Sequence, residues 1–258
     1  MKKRIIPSIL LKSGSTNVCL SQRFSPWRTV GTLAQQLKLH VSRGCDELLI
    51  INPYPQAELV HPVSSRLTKL VIANSDIPTG YSGSISSASS ASSCINQCFD
   101  KVYITSCFLE NENVLSDIAS VIGSQSLGVC LPYVCDRSTG QRFVWDFKRH
   151  DLIRNYPLRY FVQKASKEGA GEILLYSVDR DGSMSGFDQD VLPMLESLSL
   201  STPLLLGGGA GKPEDFVSVL KSDLVQGVVA GSIFSLTKET PRTLRHFCLE
   251  AGIPMRRA

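Results

Sequence analysis

Residues 168–188 read EGAGEILLYSVDRDGSMSGFD, and this stretch says most about the fold of the whole chain. The apolar run 173–176 is short and continuous, as expected for a strand that is buried on both faces. It leads directly into a loop that contains Asp179, Asp181 and Gly182. Carboxylates and glycines that follow a buried parallel strand are typical of the loops from which an α/β barrel builds its active site. The segment therefore indicates an α/β barrel with a functional loop at this position.

Seven further apolar runs resemble this strand and alternate with segments of helical spacing, such as 26–43 and 213–221. Such alternation over 258 residues predicts a single (β/α)8 barrel, spanning residues 1–258. The eight predicted strands are 4–11, 47–51, 69–72, 101–104, 126–131, 172–177, 203–206 and 226–230. The third is ambiguous, because residues 76–81 compete with 69–72 for its place. The serine-rich segment 82–93 is predicted to be a loop and the capped start of a short helix rather than a linker.

The two halves of the chain resemble each other. Residues 44–51 (GCDELLII) parallel residues 169–176 (GAGEILLY), and residues 99–106 parallel residues 225–232. Both pairs are separated by about 125 residues, the spacing that two four-strand halves of one closed barrel would produce. The repeat therefore favours one barrel built of two half-barrels over two separate domains.

Composition excludes several classes of function. The net charge of +4 is small and the basic residues are dispersed, so we predict no nucleic-acid partner. No apolar run is long enough to cross a bilayer and no leader peptide is recognisable, so we predict a cytoplasmic protein with no membrane partner. The eight cysteines contain no CxxC pair, which predicts reduced thiols and no metal or other cofactor. The histidines are predicted to lie at the surface or in caps: His40, His61, His150 and His246.

Two glycine-rich turns predict an anion site. Gly208 and Gly209 follow the seventh predicted strand and precede a helix, and Gly231 and Ser232 follow the eighth. Glycines let backbone amides approach a phosphate, and many barrels bind one after strands seven and eight. Turn glycines with no ligand are the alternative interpretation.

The equivalent loop of the first half has decayed. It reads Ser82-Gly83-Ser84 and has lost most of its glycines, while Thr105 and Ser106 offer hydroxyl groups after the fourth strand. Whether this half still binds an anion is open at this stage, because Cβ atoms restrict the backbone geometry that such a loop requires.

Nearly the whole chain resembles the cyclase (HisF-type) subunit of imidazole glycerol phosphate synthase, a lyase of histidine biosynthesis. The most specific stretches are 168–188, 203–216 and GSQ at 123–125. The resemblance implies a (β/α)8 barrel that receives ammonia, through the barrel, from a glutaminase subunit docked on its amino-terminal face. It also implies that Asp181, beside Gly182, is a substrate ligand or a residual acid, and that Asp179 shapes the loop.

The two aspartates that act as general acid and base in that family are missing. Their positions correspond to Leu10 and Pro132, neither of which can transfer a proton. Efficient ring closure by the family mechanism is therefore not expected. Leucine at the first position resembles divergent paralogues of surface-polysaccharide pathways, which use channelled ammonia on a sugar, although Pro132 departs even from those.

The opposite end of the barrel is better preserved. The charged ring at the family's channel mouth corresponds to Arg4, Glu47, Lys101 and Glu172, all retained in type, and Asp100 is implied as a docking contact. Solvated charges at the base of a barrel are the alternative interpretation. A working channel requires that the four charges surround a common axis and that no bulky side chain closes it.

We therefore expect a HisF-type synthase subunit, partnered by a glutaminase, acting on a phosphorylated or nucleotide-linked substrate. Two other hypotheses stay open. The chain is a non-catalytic scaffold or an allosteric activator of a glutaminase, or it is a true histidine-biosynthesis cyclase with relocated acids.

Overall fold

Eight parallel strands close into a barrel in the computed structural model, which describes residues 2–53, 63–147 and 149–256. Each strand pairs with the next along the chain, and the last pairs with the first, so the ring is complete. The strands are β1 (Arg4–Leu10), β2 (Leu48–Ile51), β3 (Thr79–Ser82), β4 (Lys101–Ile104), β5 (Leu127–Cys135), β6 (Glu172–Ser177), β7 (Leu204–Gly207) and β8 (Val225–Ala230). The predicted (β/α)8 barrel is confirmed.

The ring of strands divides the core into an inner and an outer layer, and helices surround the ring. They are α1 (Leu33–Ser42), α2 (Ser65–Asn74), α3 (Ala88–Gln97), α4 (Ser106–Glu110), α5 (Val114–Ile122), α6 (Leu158–Lys167), α7 (Leu192–Glu196), α8 (Pro213–Leu220), α9 (Ser232–Leu236) and α10 (Pro241–Glu250). The outer layer packs strands against helices. The inner layer fills the barrel and includes Ile6, Leu49, Tyr103, Leu174, Tyr176, Leu205 and Val229. Among the described residues, no helix is long and apolar enough to span a bilayer.

Two additions extend the barrel at its carboxyl-terminal end. Strands Asn17–Gln22 and Ser25–Thr32 form an antiparallel hairpin between β1 and α1. Strand Arg142–Asp146 pairs antiparallel with the end of β5, and Asp151–Leu152 pairs with it in turn. The hairpin overturns part of the helical prediction for residues 26–43, because a helix begins only at Leu33. Thr32 caps that helix, accepting a hydrogen bond from the Gln35 amide.

The third predicted strand was placed wrongly. Residues 69–72 belong to α2, whose buried Leu67 and Val71 are spaced one helical turn apart, while Ile72 is 61% exposed. The competing segment 76–81 contains most of the true strand β3. That strand was the weaker signal because Gly80 and the hydroxyl residues of Thr79–Ser82 give it little apolar character.

The serine-rich segment folds as predicted. Helix α3 begins at Ala88, and the Ser87 side chain accepts a hydrogen bond from the Ser90 amide at its amino end. Because serine side chains satisfy helix-start amides, this composition marks a capped helix and not a linker.

Candidate functional site

Four charged residues meet at the amino-terminal end of the barrel and form what we call the gate network: Arg4, Glu47, Lys101 and Glu172. Arg4 Nη1 lies 3.0 Å from Glu47 Oε2, and Arg4 Nη2 lies 2.6 Å from Glu172 Oε2. Lys101 Nζ lies 2.7 Å from Glu172 Oε1. The structure therefore brings together all four residues that the sequence singled out, in one continuous chain of ion pairs.

Burial makes this network more than a set of solvated surface charges. The Glu172 side chain is 3% exposed. Its burial alone would raise the carboxyl pKa, but the charges of Arg4 and Lys101 outweigh that effect and lower the pKa. Glu172 is therefore held ionised between two cations.

Tyr103 closes the barrel axis directly above the gate network. Its hydroxyl donates a hydrogen bond to Glu172, and burial, first of all, raises the pKa of that hydroxyl well above its ordinary value. Its ring fills the space beside Gly80 and Gly128, where a Cβ on Gly128 would lie 2.5 Å from the ring. Leu49 and Leu174 belong to the same inner layer. These side chains occupy the space above the four charges, so a passage there requires the Tyr103 ring to move, and the ammonia gate stays a prediction.

Asp100 lies at the same end of the barrel. It is exposed and directly precedes β4. Its Oδ2 accepts a hydrogen bond from the Thr79 amide at 2.8 Å, which joins the starts of β3 and β4. The position suits a docking contact, although the carboxylate also has this local structural role.

The larger of two cavities at the carboxyl-terminal mouth has a volume of about 530 Å³, and we call it the first-half cavity. This size is ordinary for a small-molecule site. Its rim carries amide and hydroxyl groups, and its floor is apolar, reaching down to Tyr103. Thr105 and Ser106 lie on the rim with Asn52, Ser82, Ser84 and Ser86.

The second cavity, of about 40 Å³, we call the second-half cavity. The remaining predicted ligand residues all line it: Asp181, Gly182, Gly208, Gly209, Gly231 and Ser232. A space of this size holds a few water molecules or one small anion. The predicted site residues of the mouth thus fall into two groups, one in each cavity.

Close packing explains the glycines of the second-half cavity. Gly208 and Gly209 have φ of 88° and 105°, and a Cβ on Gly208 would lie 2.5 Å from the Ser177 carbonyl oxygen. The amides of Gly211 and Lys212, which start the next turn, donate to Asp215 Oδ2 at 2.9 and 3.0 Å. Two amides just beyond the predicted anion-binding glycines are therefore satisfied by a carboxylate of the protein itself.

Asp181 is a fully engaged carboxylate. It is 6% exposed, and its Oδ2 accepts hydrogen bonds from the Ser21 hydroxyl at 2.6 Å and the Phe24 amide at 2.9 Å. Its Oδ1 accepts one from the Tyr176 hydroxyl at 2.8 Å. Burial raises the carboxyl pKa, against the lowering effect of these bonds. These contacts give Asp181 a role in holding the hairpin over the mouth, and its role as a substrate ligand or residual acid stays a prediction.

The two positions that the resemblance assigns to the family's acids carry apolar side chains at the mouth. Leu10 lines the second-half cavity and Pro132 the first-half cavity. Apolar side chains at both positions leave the mouth without the acid–base pair that the resemblance would require.

The histidine prediction was wrong for His40. Its ring is 4% exposed, packs edge-on against Phe234, and contributes to the lining of the second-half cavity. Burial, followed by the charge of Arg43, lowers its pKa to about 4. His150 and His246 are exposed as predicted, and His61 lies outside the described residues.

The fold and this two-ended arrangement define a class: a (β/α)8 barrel with ligand-sized space at its carboxyl-terminal mouth and a buried charge network at its base. Residues 4–240 match the family model described as "Histidine biosynthesis protein". The chain belongs to this family.

Relatives of nearly equal length support the same assignment. The chain is 32% identical over 259 residues to the "Putative imidazole glycerol phosphate synthase subunit hisF2" of Campylobacter jejuni, covering 99% of both chains. It is 29% identical over 265 residues to the "Imidazole glycerol phosphate synthase subunit HisF" of Pyrococcus furiosus, again covering 99% of both. The chain is therefore HisF-like, and its relatives are cyclase-type enzyme subunits.

Proposed function

We propose that this chain is the barrel subunit of a glutaminase-coupled synthase, diverged from the ring-closing reaction of histidine biosynthesis. Its amino-terminal face docks the glutaminase, and its carboxyl-terminal mouth binds a phosphorylated or nucleotide-linked small molecule that accepts nitrogen. We place it in surface-glycan nitrogen transfer, because Leu10 and Pro132 stand where the cyclase acids are expected. The resemblance to divergent paralogues supports that placement.

One observation carries the proposal: the gate network survives as a connected set of ion pairs while the acids of the mouth do not. Breaking a buried ion pair costs about 3–5 kcal/mol, so the network constrains sequence change once it exists. Yet a buried ion pair is often no more stabilising than apolar residues of similar volume. The four linked, largely buried charges therefore support a role at the base of the barrel beyond stability.

Nitrogen delivery along the axis requires a second conformation. Tyr103 lies between Glu172 and the first-half cavity and contacts both, so ammonia passes along the axis only if this ring moves. Its hydrogen bond to Glu172 links that movement to the gate network. In this proposal, docking of the glutaminase rearranges the network and releases Tyr103.

A second candidate function follows from the same residue. If Tyr103 stays in place, the barrel is a non-conducting subunit that binds a ligand and activates a glutaminase without receiving its ammonia. The engaged Asp181 and the missing acids favour this candidate as well.

Docking is tested by mixing the purified chain with HisH-type glutaminase subunits from the same genome and measuring complex formation and glutamine hydrolysis. We expect a stable complex and stimulated hydrolysis. Asp100→Asn keeps an acceptor for the Thr79 amide but removes the charge, and should weaken binding about fivefold, or roughly 1 kcal/mol. Asp136→Asn, at the other end of the barrel, is the matched control. Absence of any complex would reject both candidates.

The two candidates differ in where the nitrogen goes. Ammonium released and glutamate formed are measured together for the complex, in the presence of a small-molecule extract of the source cells. A conducting subunit releases less ammonium than glutamate, because part of the nitrogen enters a product. Equal amounts at every extract concentration would establish the non-conducting candidate.

A further inference from the structure

The hairpin between β1 and α1 turns through two residues with unusual backbone geometry. Arg23 and Phe24 have φ of 53° and 60°, the left-handed conformation required by the tightest hairpin turns and normally supplied by asparagine or glycine. A large aromatic residue in this conformation is strained. Such strain persists only where surrounding contacts hold the residue in place, and functional sites are where it concentrates.

Contacts from the β6 loop hold the tip of the hairpin down. Asp181 binds the Ser21 hydroxyl and the Phe24 amide, and Arg23 Nη2 lies 2.8 Å from Asp179 Oδ1. Gly182 lies directly beneath the Ser21 carbonyl, where no side chain would fit. The hairpin is therefore anchored to the loop that follows β6.

This anchoring inserts the Phe24 ring into the barrel mouth. The ring is 6% exposed. Its centroid lies 4.8 Å from that of Phe147 and 4.9 Å from that of Tyr176. These separations are those of well-packed aromatic pairs.

Phe24 lies between the two cavities. Of all the residues that line them, the two share only Phe24, Ile51 and Tyr176, within the part of the chain that the structure describes. The hydroxyls of Ser84 and Thr105 line one cavity, and the loops at Gly209 and Ser232 line the other. A molecule with an anionic group at each end therefore meets these three side chains between the two sets of polar groups, and Phe24 is the one of the three that the hairpin carries.

The first-half cavity also has the wrong charge for a two-ended anion. Among its described lining residues, the single charged group is the carboxylate of Glu110. The rest of the lining is hydroxyl, amide or apolar, which suits a ring or sugar that brings little negative charge.

We propose that Phe24 determines specificity by dividing the mouth, so that the protein binds a ligand through one anionic group at most and gains no affinity from the second anionic group of an elongated bisphosphate. This inference rests on the proposed function, since it narrows the class of substrate for the same mouth. It places the ligand in the first-half cavity, above Tyr103.

Hexyl phosphate and hexamethylene bisphosphate, which differ in having one or two anionic ends, test the proposal by calorimetric titration. The wild-type protein should bind the two with affinities within about threefold of each other, because two-ended binding adds nothing when geometry forbids it. Phe24→Ala should favour the bisphosphate by about tenfold or more, as both ends become able to bind at once. Trp27→Ala, which removes an exposed ring from the same hairpin, is the control and should leave the wild-type ratio unchanged.

If Phe24→Ala does not fold, as judged by circular dichroism, Phe24→Leu should shift the ratio in the same direction by less. A wild-type preference for the bisphosphate of tenfold or more would overturn the proposal, and so would an unchanged ratio in the folded variant. It would also be overturned if neither probe bound either protein. Glutaminase docking, measured separately, would still decide the proposed function.

Discussion

The two cavities of the mouth are lined by equivalent loops from the two halves of the barrel, and the loop that kept its glycines lines the smaller cavity. The glycine-rich loop of the second half lines a cavity of about 40 Å³, together with β1 and the hairpin. The equivalent loop of the first half has lost most of those glycines and lines a cavity of about 530 Å³. Gly208 and Gly209 are required because backbone carbonyls pack against them, whereas Ser84 adopts a left-handed φ of 45° with a side chain in place. Glycines here mark close packing more than space for a ligand.

The largest expected effect would come from adding one carbon to the tight loop. Gly208→Ala should destabilise the protein by roughly 3 kcal/mol, because the new Cβ combines a left-handed backbone with a contact to the Ser177 carbonyl. Chemical denaturation measures the loss. Gly140→Ala is the matched control, since Gly140 has a φ of 69° but a Cβ there would meet no atom within 4 Å; it should lose only about 1 kcal/mol. Equal losses of stability in Gly208→Ala and Gly140→Ala would show that close packing does not make Gly208 more sensitive than an unpacked turn glycine.

Acid should destabilise the folded protein through His40, which lines the second-half cavity. Its pKa is about 4 in the folded protein against 6.5 in an unperturbed histidine. As the pH falls from 6.5 towards 4, His40 is protonated in the unfolded chain but stays neutral in the folded protein, so the free energy of unfolding declines. The total loss of unfolding free energy from this residue is about 3 kcal/mol. His40→Leu should flatten the dependence of unfolding free energy on pH across this window, and exposed His246→Gln should not. A slope unaffected by His40→Leu would refute the assignment.

The Phe24 ring should separate the two cavities less effectively when the hairpin loses its hydrogen bonds to Asp181. Asp181→Asn replaces one carboxylate oxygen by an amide that cannot accept a hydrogen bond, at a cost of about 1–2 kcal/mol, and should open the hairpin about tenfold more often. Trypsin cleavage after Arg23 reports this opening. Asp117→Asn, at an exposed carboxylate of α5, should leave the cleavage rate unchanged. Cleavage as slow in Asp181→Asn as in the wild type would mean that other contacts hold the tip.

The smallest effect should appear in the loop that lost its glycines. Ser84→Gly removes the strain of a left-handed serine but adds freedom to the unfolded chain, and should stabilise the protein by about 0.5 kcal/mol. The same change at Ser93, inside α3, should destabilise it by about 0.5–1 kcal/mol. Thermal denaturation of the two variants shows whether each change stabilises or destabilises the protein. A loss of stability in Ser84→Gly would contradict the comparison between the two loops.

The barrel itself could be predicted because its strands are continuous apolar runs separated by helical periodicity. The exception, β3, is short and polar, and its neighbour in the chain is a helix whose Leu67 and Val71 supplied a stronger apolar signal. The hairpin of residues 17–32 escaped prediction because consecutive residues Val18, Cys19 and Leu20 are all buried, so the alternation expected of an antiparallel strand is absent.

The positions of the candidate residues at the two ends of the barrel could be predicted, but not the side chains that separate them. Charged residues at strand starts and glycines at strand ends identified both ends of the barrel. Tyr103 and Phe24 were missed, because an aromatic residue in a strand or loop is most often part of the core. Whether Tyr103 blocks the axis depends on Gly80 and Gly128, which lie in strands on either side of it. Sequence patterns within one strand carry no information about such neighbours.

A single aromatic side chain forms the floor between the mouth and the base of this barrel. Tyrosine and serine codons differ at one nucleotide, and the hydroxymethyl group of a serine would leave the space beside the two glycines empty. One point mutation would therefore open or close the space between the mouth and the base, and within the network of charges it would remove or restore a single hydrogen bond to Glu172.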